Sequence, residues 1–310
     1  MPAFHVARSI HINADPQRVF EVVSDYSTWT KWSPWLCCEP DASVTVSEDP
    51  RSVGSMYAWN GTVLGQGEIE HRSIDPGRHI EDEIRFLKPF RSRSDVLFDM
   101  EPQEEGTRLT WSMKGSLPWF MFWMCRMMES FIGSDYERGL RMLKEWIETG
   151  RVLSHNIFHG VESVGPIRMA GVRRSCSLKD IGPVMQEAFA FVTETLRTAG
   201  QPTDVQGASV VHACDMRRQS IDLTAGLMLQ EHATLDTMDL VEIDIPRLNA
   251  LRVEHVGAYH HLGNAWAAAE QRVRYGKMKR GRQSSFEIYR NSPHTTPVED
   301  LRTDVYIPVR

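Results

Sequence analysis

The apolar residues of the first half change period once, and that change limits what the chain can become. From Val44 to Met113 they recur at every second position between Gly or Pro breaks. Val96, Phe98 and Met100 alternate with polar neighbours, Glu104-Glu105-Gly106 turns the chain, and Leu109, Trp111 and Met113 alternate again. Alternation of this kind places one face of a strand on a core and the other in water. Further on the spacing is helical: Tyr136, Leu140, Leu143 and Ile147 follow at steps of 4, 3 and 4, supported by Trp146. That is one stripe of a long helix. The two patterns bury each other only if the helix lies across a curved antiparallel sheet, so the class is α+β. Ser134-Asp135-Tyr136-Glu137 has the spacing of a capping box and predicts the helix start.

Ahead of the sheet, Val6, Ile10 and Ile12 mark an opening strand, and Asp15-Pro16 caps and begins a short helix with Val19, Phe20 and Val23 on its apolar side. The turn from Asp25 to Trp35 contains Trp29, Trp32 and Trp35. These rings either seal a core end or line an apolar site. Trp59, Trp111, Phe120 and Trp123 are candidate cavity-lining residues, with simple packing as the alternative. Met113, Met121, Met124, Met127 and Met128 either add adaptable surface or fill gaps. Leu117 to Met128 is the one lipid-like run. It is too short to span a bilayer and contains Arg126, which favours core or a pocket wall and no membrane partner.

A chain of 310 residues exceeds what one core usually fills, so two domains are expected. The periodicity lapses between Gly150 and Gly165, which divides the chain into domains at 1–150 and 165–310 with a linker at 151–164. A net charge of −6 argues against non-specific nucleic-acid binding. The five cysteines form no CxxC pair, and no secretory leader is visible; both point to a cytoplasmic protein with buried thiols. His155 and His159 are four apart but lack a third ligand at fitting spacing, and His255, His260 and His261 have no further ligand beside them. No metal is expected. Neither a phosphate loop, a dinucleotide fingerprint nor a Ser-His-Asp order is present, and no cofactor is implied.

Beyond Pro166 the element order repeats. A strand, a helix stopped at Gly200 and two strands are followed by strands at Leu240 to Ile245 and Ala250 to Val256, a helix stopped at Gly276 and the closing strands. In the closing pair, Ser285, Glu287 and Tyr289 share one face while Phe286 and Ile288 take the other. An acid inside an apolar strand either points to water or serves something bound there. Aligning the repeats sets Val211 against Glu287 and Asp222 against Asp304. The fold therefore tolerates an apolar residue at the first position, whereas the acid kept at the second reads as structural. The basic run from Arg272 to Arg282 follows a helix end, where solvated cations are ordinary.

Ile12-Asn13-Ala14-Asp15-Pro16 with Val19-Phe20, the aromatic turn, and Gly139 to Lys144 resemble the START/SRPBCC (polyketide cyclase-like) helix-grip family. That resemblance implies a cavity between sheet and helix for a hydrophobic small molecule. Val256 to Trp266, Phe286 to Pro293 and Leu301 to Val309 resemble the GyrI-like effector-binding domain also found in AraC-type regulators. It implies a duplicated β-α-β-β module whose aromatic groove holds a buried glutamate that meets cationic or polar ligands. By motif position these residues are Glu287, Tyr259, Trp266 and Tyr289. Some relatives hydrolyse strained, cyclopropane-bearing compounds with the same glutamate. Since neither half contains a recognisable helix-turn-helix, no direct nucleic-acid partner is expected. The expected partner is a hydrophobic molecule or lipophilic cation, bound for sensing, sequestration or detoxification, or hydrolysed at Glu287.

Overall fold

Asp15 fulfils its role in the computed structural model, which describes residues 3–117, 119–230, 233, 235 and 239–310. Its carboxylate accepts the Arg18 backbone N–H at 3.0 Å and starts a helix with Pro16 in the first position. The chain divides into two units, Met1–Val152 and Leu153–Arg310.

The first unit runs β1 (Ala3–Ile12), α1 (Pro16–Val23), α2 (Trp29–Trp32), β2 (Ser43–Val46), β3 (Met56–Asn60), β4 (Gln66–Asp75), β5 (His79–Lys88), β6 (Ser92–Gln103), β7 (Gly106–Ser116), a 3₁₀ turn (Trp119–Met124) and α3 (Cys125–Thr149). Its seven strands are all antiparallel in the order β1-β7-β6-β5-β4-β3-β2. The stripe Tyr136, Leu140, Leu143 and Ile147 is buried, as the period requires. Tyr136 stacks on Trp111 with ring centres 3.9 Å apart. Gly139 permits that approach, because a Cβ there would lie 2.9 Å from the Trp111 ring.

The capping-box expectation is corrected: α3 begins at Cys125, well before Ser134. Asp135 and Glu137 are engaged by tertiary partners. Asp135 takes Arg138 at 2.6 Å and the Trp35 indole N–H at 3.1 Å, and Glu137 takes Arg8 at 2.6 Å. A local start signal yields where long-range partners claim its side chains.

The second unit comprises β8 (Ser154–Val164), β9 (Ile167–Ser177), α4 (Ile181–Thr198), β10 (Gly207–Asp215), β11 (Ser220–Met228), β12 (Val241–Ile245), β13 (Leu248–Gly257), a 3₁₀ turn (Tyr259–His261), α5 (Gly263–Tyr275), β14 (Ser285–Tyr289) and β15 (Arg302–Pro308). The expected linker at 151–164 is largely β8, paired along its length with β13. Its residues alternate strictly between half-buried and exposed and none is fully buried, because it is an edge strand, so the apolar alternation that marks inner strands is missing from its sequence.

The eight strands form one curled antiparallel sheet, ordered β12-β9-β11-β10-β14-β15-β13-β8. The repeats β9-α4-β10-β11 and β13-α5-β14-β15 meet at its middle. There Ser209 pairs with Glu287, Val210 with Phe286 and Val211 with Ser285. The two repeats face each other across this ladder, and the sequence alignment that sets Val211 against Glu287 places their pseudo-twofold axis at the Val210/Phe286 pair. One strand outward, Val211 pairs with Leu223 and Glu287 with Val305, which makes Asp222 the equivalent of Asp304.

Both of those acids hold ion pairs. Asp222 meets Arg173 at 2.5 Å. Asp304 is fully buried between Arg252, at 3.0 Å, and Arg290. Glu254 lies beside this pair, gripping Arg302 and His159. Buried charges of this sort persist because each is paired.

Candidate functional site

Strand alternation sends Phe286 and Ile288 to one face of the sheet, where Phe286 stacks on Tyr306 at 4.9 Å. Glu287 therefore faces the other way, toward the side carrying α4 and α5. Its neighbours there are fixed by register: Ser209 lies directly across on β10, and Tyr289 is two residues along its own strand.

Glu287 is 6% exposed and holds three neutral donors. Ser209 donates its hydroxyl to Oε2 at 2.8 Å, Tyr289 donates its phenol to the same oxygen, and Trp266 donates its indole N–H to Oε1. Among the described residues no Lys, Arg or His forms an ion pair with it, in contrast to Asp304 and Glu254. The carboxylate is thus hydrogen-bonded by neutral dipoles while its charge has no counter-ion. A carboxylate offers about four acceptor positions. Two donors occupy Oε2 and one occupies Oε1, so the open position is beside Trp266.

Aromatic rings surround this group. Tyr259 meets Tyr289 edge-on at 5.7 Å, and Phe189 of α4 meets the same ring edge-on at 5.3 Å. Burial, and secondarily the Glu287 charge, raises the Tyr259 phenol to about 12 and holds Tyr289 well above the usual tyrosine range. Both are protonated donors at neutral pH. Tyr259 is partly exposed and meets the half-buried Tyr289 ring edge-on, so aromatic faces and edges lie between Glu287 and solvent on this side. Such a frame can bind a cation through ring quadrupoles and an apolar body through area.

The four C-terminal candidates, Glu287, Tyr259, Trp266 and Tyr289, lie together. Ser209 and Phe189 join them, and sequence reasoning missed both. Ser209 becomes visible only through the β10–β14 register. Phe189 has a subtler signal at Gly207, where a Cβ would lie 3.0 Å from Phe189 and 3.3 Å from Tyr289. The glycine leaves room for that aromatic pair.

Of the N-terminal candidates, Trp59 and Trp111 belong to one aromatic core, while Phe120 and Trp123 stand apart from it. Trp111 is 2% exposed and fills the core, stacked on Tyr136 and on Phe98 at 5.1 Å, with Trp32 and Trp35 edge-on. Trp59 is half-buried against Phe86, 5.9 Å away. Phe120 and Trp123 stand exposed in the 3₁₀ turn. The separation of Trp111 from the turn aromatics has a physical cause: Trp111 is on β7, an inner strand next to the edge strand β1, with Tyr136 of α3 stacked on it, whereas the 3₁₀ turn follows the end of β7. In the basic run, Arg272 covers the Phe158 ring at 3.7 Å and Arg280 pairs with Glu270 at 2.8 Å.

Residues 3–148 match the family described as polyketide cyclase / dehydrase and lipid transport, and residues 161–310 match the GyrI-like small molecule binding domain. The chain is a fusion of one domain from each family. No curated protein matches it. Among solved structures, protein MLL2253 from Mesorhizobium loti is 15% identical over 46% of this chain and 96% of its own, with a TM-score of 0.37. Protein CV1439 from Chromobacterium violaceum is 18% identical over 48% and 99%, also at 0.37. EcmrR, solved in a DNA complex, is 15% identical over 60% and 68%, at 0.38.

Proposed function

We propose that this fusion of a polyketide cyclase-like domain and a GyrI-like domain binds a lipophilic cation in the C-terminal groove, with Glu287 as its counter-ion. The role is sensing, sequestration or detoxification of hydrophobic compounds in the cytoplasm. One observation carries the reading: Glu287 is a buried acid at this sheet centre that, among the described residues, holds neutral donors and no cation, with aromatic side chains beside its open lone pair. The charge of a bound cation would complete the set, while Tyr259, Trp266, Tyr289 and Phe189 would cover its apolar body. The net charge of −6 supports a role that does not pass through DNA contact by this chain.

Displacement of a fluorescent dye by a panel of lipophilic cations and neutral analogues tests the reading on wild type and Glu287→Gln. Selective loss of the cations supports it. Equal affinity of both proteins for both classes refutes it. Turnover of a strained electrophile by wild type, abolished in Glu287→Gln, would replace binding by hydrolysis at the same carboxylate, with Glu287 as catalytic residue.

A further inference from the structure

We propose that one end of the N-terminal sheet docks on an anionic lipid bilayer. The 3₁₀ turn that leads into α3 places Trp119, Phe120, Phe122 and Trp123 in solvent, at 76%, 59%, 66% and 60% exposure. Phe90, in the β5–β6 turn, is 81% exposed. Register puts both segments at the same end. Ser92 pairs with Phe86 at the close of the β5–β6 turn, and Ser94 on β6 pairs with Gly115, the last residue but one of β7. The β3–β4 turn is there too, since Gln66 pairs with Lys88, and its Val63 and Leu64 are partly exposed. Isolated exposed apolar residues need no explanation, but five large aromatics on two neighbouring segments form a patch that does.

Charge selects the occupant. Lys88, Arg91, Arg93, Lys114 and Arg126 are all exposed at this end or on its approaches. The stretches from Arg85 to Ser94 and from Met113 to Met128 contain no Asp or Glu. This local excess of cations occurs in a chain with a net charge of −6. Trp and Phe tips with a Lys/Arg surround match the interface of a bilayer: rings sit at headgroup depth while the cations meet anionic lipid. The segment is too short to span, and no described helix is long and apolar enough to cross. Contact is thus at the surface. The expectation of core or pocket wall for Leu117 to Met128 holds for Leu117, Cys125 and Met128, which pack against the N-terminal core, and fails for Trp119, Phe120, Phe122 and Trp123, which project past the sheet end.

Full-length protein would be sedimented with vesicles of phosphatidylcholine alone and of phosphatidylcholine mixed with phosphatidylglycerol. Wild type is expected to partition onto the mixed vesicles and only weakly onto the neutral ones. Trp119→Ser/Trp123→Ser, which leaves the core intact, should lower partitioning onto both by about tenfold or more. Arg91→Glu/Arg93→Glu should lower it onto the mixed vesicles alone, again by about tenfold or more, since each basic residue near an anionic surface contributes severalfold. Absence of wild-type binding to either vesicle overturns the proposal, as does binding indifferent to both variants. Light scattering that shows a dimer dissolved by Trp119→Ser/Trp123→Ser, without vesicle binding, would give the patch to a second copy and also overturn it.

Discussion

Replacing Glu287 by Gln removes one charge and keeps the shape of the site. Trp266 can only donate, so the amide oxygen must take the Oε1 position and the NH₂ must face Ser209 and Tyr289. Both of those groups are hydroxyls, which accept as readily as they donate, so every partner can be satisfied after rotation. The variant should therefore fold, with a melting temperature equal to or above that of wild type, because an uncompensated buried charge has gone. A bound cation loses its counter-ion. At about 4 Å and an effective dielectric near 20, that attraction is roughly 4 kcal/mol. Stripping water from the cation offsets part of it, leaving about 2–3 kcal/mol, or roughly a 30- to 150-fold rise in Kd. A neutral analogue of equal size should change by less than about threefold, since its apolar contacts are untouched. Titration calorimetry with a matched cation and neutral pair measures both. Equal weakening of the two, with an unchanged melting temperature, would mean that Glu287 orders the aromatic frame and is not a counter-ion, and the charge argument would fall.

Trp111→Ala should destabilise the N-terminal unit by about 3–5 kcal/mol, read as a lower urea midpoint, because the ring is buried in three or more aromatic contacts. Trp123→Ser at an exposed site should move that midpoint within about 0.5 kcal/mol. His255 is lowered to about 4, chiefly by burial, while its Nε2–H donates to the Ala258 carbonyl at 3.0 Å. Its folded value lies below its unfolded value of about 6.5. The stability it permits is complete above pH 6.5 and declines by about 3 kcal/mol as pH falls toward 4. Urea midpoints of wild type and His255→Gln at pH 7.5 and 5 check this: the wild type should lose more on acidification. Thiol labelling of native protein should modify exposed Cys214 first and leave buried Cys38 until unfolding.

Residue order alone gives the α+β class, the period change that demands a helix gripped on a sheet, the strand–helix–strand–strand repeat and Glu287 as the candidate acid. Each depends on residue order along one element or on comparison of two stretches, and both survive without coordinates. Glu287 was legible because its repeat partner is Val211, and an acid that the fold does not require invites a reason. Asp304 was legible as structural by the converse comparison. Only the tertiary structure decided what surrounds Glu287. Ser209 and Phe189 come from the other repeat, across the pseudo-twofold axis, and nothing local to either marks it as a neighbour of a residue roughly a hundred positions away. The same holds for Trp111 and the Trp119–Met124 turn. Composition gives one kind of aromatic in both places, but an inner strand packed against α3 buries the first, while chain that leaves the sheet end exposes the second. Hydrophobic period reports which face a residue takes on its own element. Whether another element covers that face is set by long-range register, and that distinction separates the core of this protein from the Glu287 cluster and the exposed aromatic end.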